Sequence, residues 1–159
     1  MSGKISYNAS DKNFDRYEKG EIIMSPPRTI TETDVVNFCA LTGDWHPLHS
    51  DALFASKTQF GARIAHGPLT FAICAGFMAR SGVGSAHSMA FLGINNWTFQ
   101  TPVYLGDTIQ ARITVHDKRP STSKLDRGIV TFFVEVLNLT RESAIVCSGE
   151  WTNMYRRGS

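Results

Sequence analysis

The stretch GPLTFAICAGFMA, residues 67–79, decides how this chain folds. It is nearly apolar but too short to cross a bilayer, so it predicts a buried helix. Pro68 suits the first turn of that helix, because the amide hydrogen that proline lacks would have no partner there. Apolar side chains lie all round the helix, so we expect other parts of the chain to cover every side of it. A curved sheet wrapped around the helix would do so.

The second half of the chain supplies such a sheet. Four runs rich in β-branched and aromatic residues, 89–100, 107–117, 128–139 and 144–155, are separated by polar turns. Apolar and polar residues alternate along 107–117, which predicts one face packed on the helix. Helices that precede a set of antiparallel strands are typical of an α+β domain.

Length and charge narrow the classes of function. We expect 159 residues to form one domain, 1–159, with a polar leader over about 1–13. The net charge of +2 and the scattered basic residues argue against a nucleic acid partner. The leader lacks the apolar core of a secretory signal and no span is long enough for a membrane, so we expect a cytoplasmic protein. Cys39, Cys74 and Cys147 are odd in number and widely spaced, which favours buried, reduced thiols.

A second informative stretch is TGDWHPLHSD, residues 42–51, which follows a predicted helix. Thr31 and Asp34 form an N-capping pattern for that helix, and Gly43 is its natural end. Asp51 is a plausible cap for another short helix over 52–60. Between them Pro47 and its polar neighbours predict a stiff turn that is neither a good helix nor a good strand.

The turn can bring Asp44 and His49 together, since Pro47 fixes its own φ and pushes His46 away from helical geometry. A carboxylate and an imidazole that converge can hold a water molecule and pass protons to and from it. The amides that open the 67–79 helix have no partner within it, so the N–H of Gly67 could hold a developing oxyanion. This combination suits addition or removal of water next to a carbonyl such as a thioester.

Other interpretations of the same residues stay open. His46 and His49 could bind a metal ion together with Asp44 or His66, but their spacing matches no standard helical zinc pattern, and we predict no metal. Asp44 could instead be a loop carboxylate that only accepts backbone hydrogen bonds. His66 is expected to be structural and to bond the loop.

Three segments resemble one known family. LTGDWHPLHSDALFA (41–55), GARIAHGPLTFAICAG (61–76) and FQTPVYLGDTIQARITV (99–115) resemble, in the same order, motifs of the MaoC-like dehydratases, which include the R-specific enoyl-CoA hydratases. The similarity covers roughly residues 14–155. It implies a hot dog fold, in which an antiparallel sheet wraps a long central helix, paired into a homodimer or a higher assembly of dimers.

The resemblance also implies a reaction and a site. The reaction is reversible hydration of a trans-2-enoyl-CoA to the R-3-hydroxyacyl-CoA, with coenzyme A as part of the substrate and with no metal or redox cofactor. Asp44 and His49 match the catalytic pair, in either order of acid and base. The Gly67 amide matches the group that polarises the thioester carbonyl. Further substrate contacts are expected from the neighbouring side chains His66, Trp45, His46 and Phe71.

The chain departs from the family pattern at two points. His46 stands where the family usually has asparagine. Relatives often carry a serine on the central helix, whereas the aligned region here reads AICAG with Ala75, so that Cys74 and Thr70 are the available substitutes. The same fold could therefore serve two other functions: a thioesterase, in which a carboxylate directs water at the carbonyl carbon, or a noncatalytic subunit that binds acyl thioesters.

Overall fold

The computed structural model describes residues 5–158, so the first four residues of the predicted leader lie outside it. Over this range the chain forms four α-helices, one short 3-10 helix (Phe14–Arg16) and seven strands. The α-helices and strands follow in chain order: β1 (Ile5–Ser6), β2 (Ile22–Met24), β3 (Arg28–Thr29), α1 (Glu32–Thr42), α2 (Pro47–Ser50), α3 (Ala52–Ala55), α4 (Gly67–Arg80), β4 (Ser88–Phe99), β5 (Thr108–Pro120), β6 (Arg127–Asn138) and β7 (Ala144–Arg156). The four long strands predicted from the sequence are β4 to β7, and each begins and ends within a few residues of its predicted limits.

The strands form one sheet in the order β1-β2-β5-β6-β7-β4, with β3 also paired to β5. All pairs are antiparallel except β1 with β2, which is parallel and was not predicted. The predicted alternation of β5 is confirmed, because Ile109, Ala111, Ile113 and Val115 are all buried while the residues between them are half-buried. This face of the sheet packs against α4.

The central helix α4 is covered on one side only. Its buried side chains form part of the hydrophobic core: Leu69, Ile73, Cys74, Phe77 and Met78. The opposite face is exposed in the single chain and consists of Pro68, Ala72, Ala75, Gly76 and Ala79. The expectation that every side would be covered is therefore wrong for one chain. Exposure of that face to water costs little free energy, because its small side chains carry little apolar area.

Two local expectations need correction. Residues Pro47–Ser50, predicted to be non-helical, form one helical turn, and the helix capped by Asp51 ends at Ala55 instead of continuing to residue 60. Pro47 explains the first difference, since proline at the first helical position loses no hydrogen bond. The capping box of α1 is confirmed, with Thr31 and Asp34 bonded reciprocally and Gly43 in the left-handed conformation at φ 77°.

The described part of the leader packs on the domain, because the backbone N–H of Ala9 donates to the carbonyl of Ser81 at 2.8 Å and Ala9 is fully buried. All three cysteines are buried and free. Within residues 5–158, no helix has the length and apolar character that a membrane span requires.

Candidate active site

The turn between α1 and α2 sets the position of Asp44. Gly43 ends α1, and the Asp44 side chain then accepts a hydrogen bond from the backbone N–H of His46 at 3.2 Å, measured to Oδ1. The backbone N–H of Asp44 donates to the hydroxyl of Thr42 at 3.2 Å. Its carboxylate is 49% exposed. Asp44 does accept a backbone hydrogen bond, as a purely structural loop carboxylate would, but it also faces two imidazole rings.

His49 is the third residue of α2 and is held by a main-chain contact. Its Nδ1 lies 2.7 Å from the carbonyl oxygen of Ile64. A carbonyl only accepts, so Nδ1 carries the proton and Nε2 is left as a proton acceptor. Burial lowers the pKa of His49 from its ordinary value, and the neighbouring ring of His66 acts in the same direction. His49 is therefore neutral at physiological pH, as a general base requires.

His66 precedes α4 and is almost completely buried at 1% exposure. Its ring stacks on that of His49, with centroids 3.7 Å apart. Its Nε2 lies 3.1 Å from the backbone oxygen of Asp44 and 3.6 Å from Sγ of Cys39. Nδ1 of His66 is buried and has no hydrogen-bond partner in the described part of the chain. His66 thus ties the Asp44 loop to the start of α4, the kind of bond expected of it.

Asp44, His49 and His66 each contribute one polar atom to a cluster whose members lie within 4.8 Å of one another. Oδ2 of Asp44 lies 4.0 Å from Nε2 of His66. A divalent ion could use such a spacing, and so could a water molecule held between a carboxylate and an imidazole. Nε2 of His66 already contacts the backbone oxygen of Asp44, which favours the second use.

Gly67 opens α4 and borders an apolar groove. Within residues 5–158 its backbone N–H makes no hydrogen bond, as expected for the first turn of a helix. The groove has a volume of about 270 Å³ and is lined by Phe60, Ile64, Ala65, Gly67, Thr70, Phe99, Gln100, Thr101, Pro102, Val103 and Val146. Asp44 and His49 do not line this groove. The segment from Ile64 to Gly67 links the pair to the groove, because Ile64 and Gly67 line it and the carbonyl of Ile64 binds His49.

The remaining predicted contacts differ in position. Trp45 is 54% exposed next to the cluster, and the ring of His46 lies 6.0 Å from that of His49. Phe71 is not among the groove residues and packs instead on Trp97 at 5.1 Å, so the expectation that it contacts substrate gains no support. Of the two substitutes for the missing serine, Thr70 lines the groove, while Cys74 is fully buried away from it.

Several groove residues were missed in the sequence. Phe60 and Phe99 lie 39 positions apart in a chain of 159 residues, and no periodic pattern links them. A usable signal was the segment FQTPV, residues 99–103, since the same motif that carries the family resemblance forms one wall of the groove.

The fold and the site together define a hot dog protein with an Asp/His cluster beside the first turn of its central helix. A family model described as MaoC like domain matches residues 14–135. The chain belongs to this family. It is 38% identical over 107 residues to Protein MaoC of Klebsiella aerogenes, a match that covers 67% of this chain and 31% of that protein. It is 34% identical over 128 residues to an (R)-specific enoyl-CoA hydratase of Rhodospirillum rubrum, covering 80% and 81% of the two chains.

Solved structures agree with the fold. A structure described as a monoamine oxidase regulatory protein from Archaeoglobus fulgius superposes with a TM-score of 0.83 at 33% identity and covers 100% of both chains. A Mycobacterium tuberculosis protein with a double hot dog fold matches with a TM-score of 0.77 at 18% identity, over 92% of this chain and 44% of that one. The hot dog fold is therefore confirmed, and this chain corresponds to under half of the double form.

Proposed function

We propose that this protein catalyses the R-specific, reversible hydration of an enoyl-CoA thioester to the 3-hydroxyacyl-CoA. The observation that carries the proposal is the cluster of Asp44 and His49, with polar atoms within 4.8 Å, next to an unpaired amide at Gly67. Relatives named (R)-specific enoyl-CoA hydratase and 3-hydroxybutyryl-CoA dehydratase support hydro-lyase chemistry for the family.

His49 acts as the base in this proposal. Its Nδ1–H is engaged with Ile64, so Nε2 accepts a proton from water while the water oxygen bonds to the β-carbon of the substrate. The electron pair of the carbon–carbon double bond moves toward the thioester, which becomes an enolate. The lowered pKa of His49 keeps Nε2 free of a proton before this step.

Gly67 and Asp44 complete the addition. The negative charge that develops on the thioester oxygen is stabilised by the Gly67 N–H at the positive end of α4. Asp44 enters this step protonated, delivers its proton to the α-carbon and becomes a carboxylate. His49 then gives up the proton taken from water, which returns to Asp44 through the solvent that reaches its half-exposed side chain. The acyl chain lies in the groove lined by Thr70 and Phe99. Coenzyme A enters as part of the substrate, and no metal or redox cofactor takes part.

We further propose that the protein works as a homodimer. The edge strand β4 exposes Phe91 and Leu92, which are 54% and 46% accessible in the single chain. An edge strand with exposed apolar side chains favours pairing with another chain. The exposed small residues of α4 add to this surface. Sedimentation equilibrium tests the proposal, and a mass of one chain of 17.6 kDa at micromolar concentration would contradict it.

Incubation with crotonyl-CoA tests the reaction. We expect loss of the conjugated-enoyl absorbance without release of free thiol, and an R-configured product on chiral analysis. Release of thiol would instead identify a thioesterase. Asp44→Asn and His49→Ala should each lower kcat by on the order of a hundredfold. His116→Ala is the matched control, because that imidazole is 58% exposed on β5.

A noncatalytic acyl-binding subunit is the remaining alternative. It would bind enoyl thioesters in the parent chain and in both variants alike, with no turnover in any of them. Isothermal titration with crotonyl-CoA alongside the absorbance assay separates this outcome from catalysis.

A further inference from the structure

His46 connects the two members of the proposed catalytic pair. Its Nδ1 accepts a hydrogen bond from the backbone N–H of Leu48 at 3.2 Å, which caps the N-terminus of α2. Its own backbone N–H donates to Oδ1 of Asp44 at 3.2 Å. His49 is carried by the helical turn that His46 caps. One residue therefore fixes the carboxylate on its N-terminal side and the imidazole on its C-terminal side.

An imidazole cap differs chemically from the usual ones. Asparagine, serine and aspartate cap a helix through an oxygen that accepts a hydrogen bond at any ordinary pH. A neutral imidazole accepts through one nitrogen only, and a protonated imidazole has two donors and no acceptor. The bond from Leu48 therefore exists only while His46 is neutral.

We propose that His46 is a positioning residue that makes the geometry of the Asp44/His49 pair dependent on pH. This inference rests on the proposed hydratase function. When His46 takes up a proton, the Leu48 N–H loses its acceptor and the single turn of α2 loosens. The contact between His49 and the carbonyl of Ile64 then loses part of its support, so that Nε2 is less often in the productive position.

The ring of His46 can exchange a proton with solvent. Its side chain is exposed, so solvent reaches the ring. Two titratable groups face it: Asp44, whose Oδ1 accepts from the backbone N–H of His46, and the ring of His49 at 6.0 Å. From α3 the ring meets Phe54 edge-on at 6.3 Å, which carries no charge.

Two variants distinguish the effect of losing the cap from the effect of protonating residue 46. His46→Asn keeps an acceptor for Leu48 but cannot be protonated, and His46→Ala removes the acceptor. At pH 8 we expect the alanine variant to have a kcat up to about fivefold lower than that of the asparagine variant, with little difference in KM, the size of a lost N-cap. Toward acid, crotonyl-CoA turnover of the parent should fall more steeply than that of His46→Asn, because the parent takes up two protons and the variant one. Parallel pH profiles for parent and asparagine variant would overturn the proposal.

A measurement without substrate keeps the inference independent of the proposed reaction. Amide hydrogen exchange at Leu48, corrected for the intrinsic pH dependence of exchange, should lose about fivefold in protection as His46 is protonated, and the imidazole ¹⁵N shifts report that protonation directly. His46→Asn should show no such loss. If the parent hydrates no enoyl thioester yet shows this coupling, the hydratase proposal fails and the cap stands. If Leu48 protection ignores the state of His46, the cap itself is wrong.

Discussion

Replacing Gly67 with alanine should abolish most of the activity while leaving the fold intact. A methyl group at this position would lie 3.3 to 3.4 Å from three ring carbons of Phe99. That distance is only slightly tighter than an ordinary contact, and the Phe99 ring is 52% exposed at the end of β4, so it can yield by a few tenths of an ångström. Alanine also favours the helix over glycine by up to about 1 kcal/mol. The two effects oppose each other, and the free energy of unfolding should change by less than about 1 kcal/mol.

The effect on catalysis should be far larger. The added methyl would occupy the space through which the thioester oxygen reaches the amide of residue 67. Loss of one donor to a developing oxyanion costs about a hundredfold or more in kcat. We therefore expect crotonyl-CoA turnover to fall by about that factor, measured by enoyl absorbance, with a thermal midpoint close to that of the parent.

His116→Ala provides the control, because that imidazole is 58% exposed on β5 and does not line the groove. It should keep the activity and the thermal midpoint of the parent. Turnover of Gly67→Ala within about threefold of the parent would refute the role of the Gly67 amide, since a blocked oxyanion site cannot retain that rate. Loss of both fold and activity would show that the contact with Phe99 is structural.

Three further outcomes follow from the structure. In His46→Asn, which lacks the titratable cap, the kcat/KM profile should have its acid midpoint below pH 6.5, because the depressed pKa of His49 keeps its base form there; a midpoint above 6.5 would contradict this. Burial disfavours the charge on Asp107, but hydrogen bonds from the Tyr104 backbone, Asn138 and Arg141 outweigh burial and lower its pKa. The free energy of unfolding of Asp107→Ala, measured in urea above pH 3.8, should therefore be about 2 to 3 kcal/mol lower than that of the parent. The difference should shrink as the pH falls through the depressed pKa, because the parent then loses the contribution of the charged carboxylate. Dialysis against EDTA should leave turnover unchanged, and recovery of lost activity by added Zn²⁺ or Mn²⁺ would point to a metal at the histidine cluster.

The parts of the fold that follow from local rules could be predicted from the sequence. The capping box of Thr31 and Asp34 fixed the start of α1, and strict alternation fixed the inward face of β5. Strands β1 and β3 could not be found in this way. Each is only two residues long and exists because a longer strand supplies its hydrogen-bond partners, β2 for β1 and β5 for β3.

The exposed face of α4 escaped prediction for a different reason. Hydropathy treats Ala72, Ala75 and Ala79 as apolar, so the pattern of the helix looks uniform around its circumference. Side-chain size carries the missing information, since the large residues Phe77 and Met78 point to the sheet and the small ones to the outside. A pattern that weighs volume as well as hydropathy would have separated the two faces.

The same distinction applies to the site. Asp44 and His49 are five residues apart, so a single turn brings them together and local sequence is enough to pair them. His66 reaches the cluster only because the carbonyl of Ile64, two residues before it, binds His49 and places the two rings at 3.7 Å. No rule based on spacing in the sequence predicts that His66 lies beside His49.

The cluster is fixed by main-chain contacts more than by contacts between its own side chains. His49 donates to the carbonyl of Ile64, His66 contacts the backbone oxygen of Asp44, and Asp44 accepts from the N–H of His46. These bonds orient the two rings and the carboxylate while leaving Nε2 of His49 and one carboxylate oxygen of Asp44 available to a reactant. The bonds made by Asp44 and His49 lie outside the hydrophobic core, whereas the ring of His66 is buried against the core residue Cys39. The geometry of the Asp44/His49 pair is therefore separable from global stability. Substitutions at this turn should therefore change turnover well before they change the free energy of unfolding, which is the behaviour expected of a site built on a rigid scaffold but not part of it.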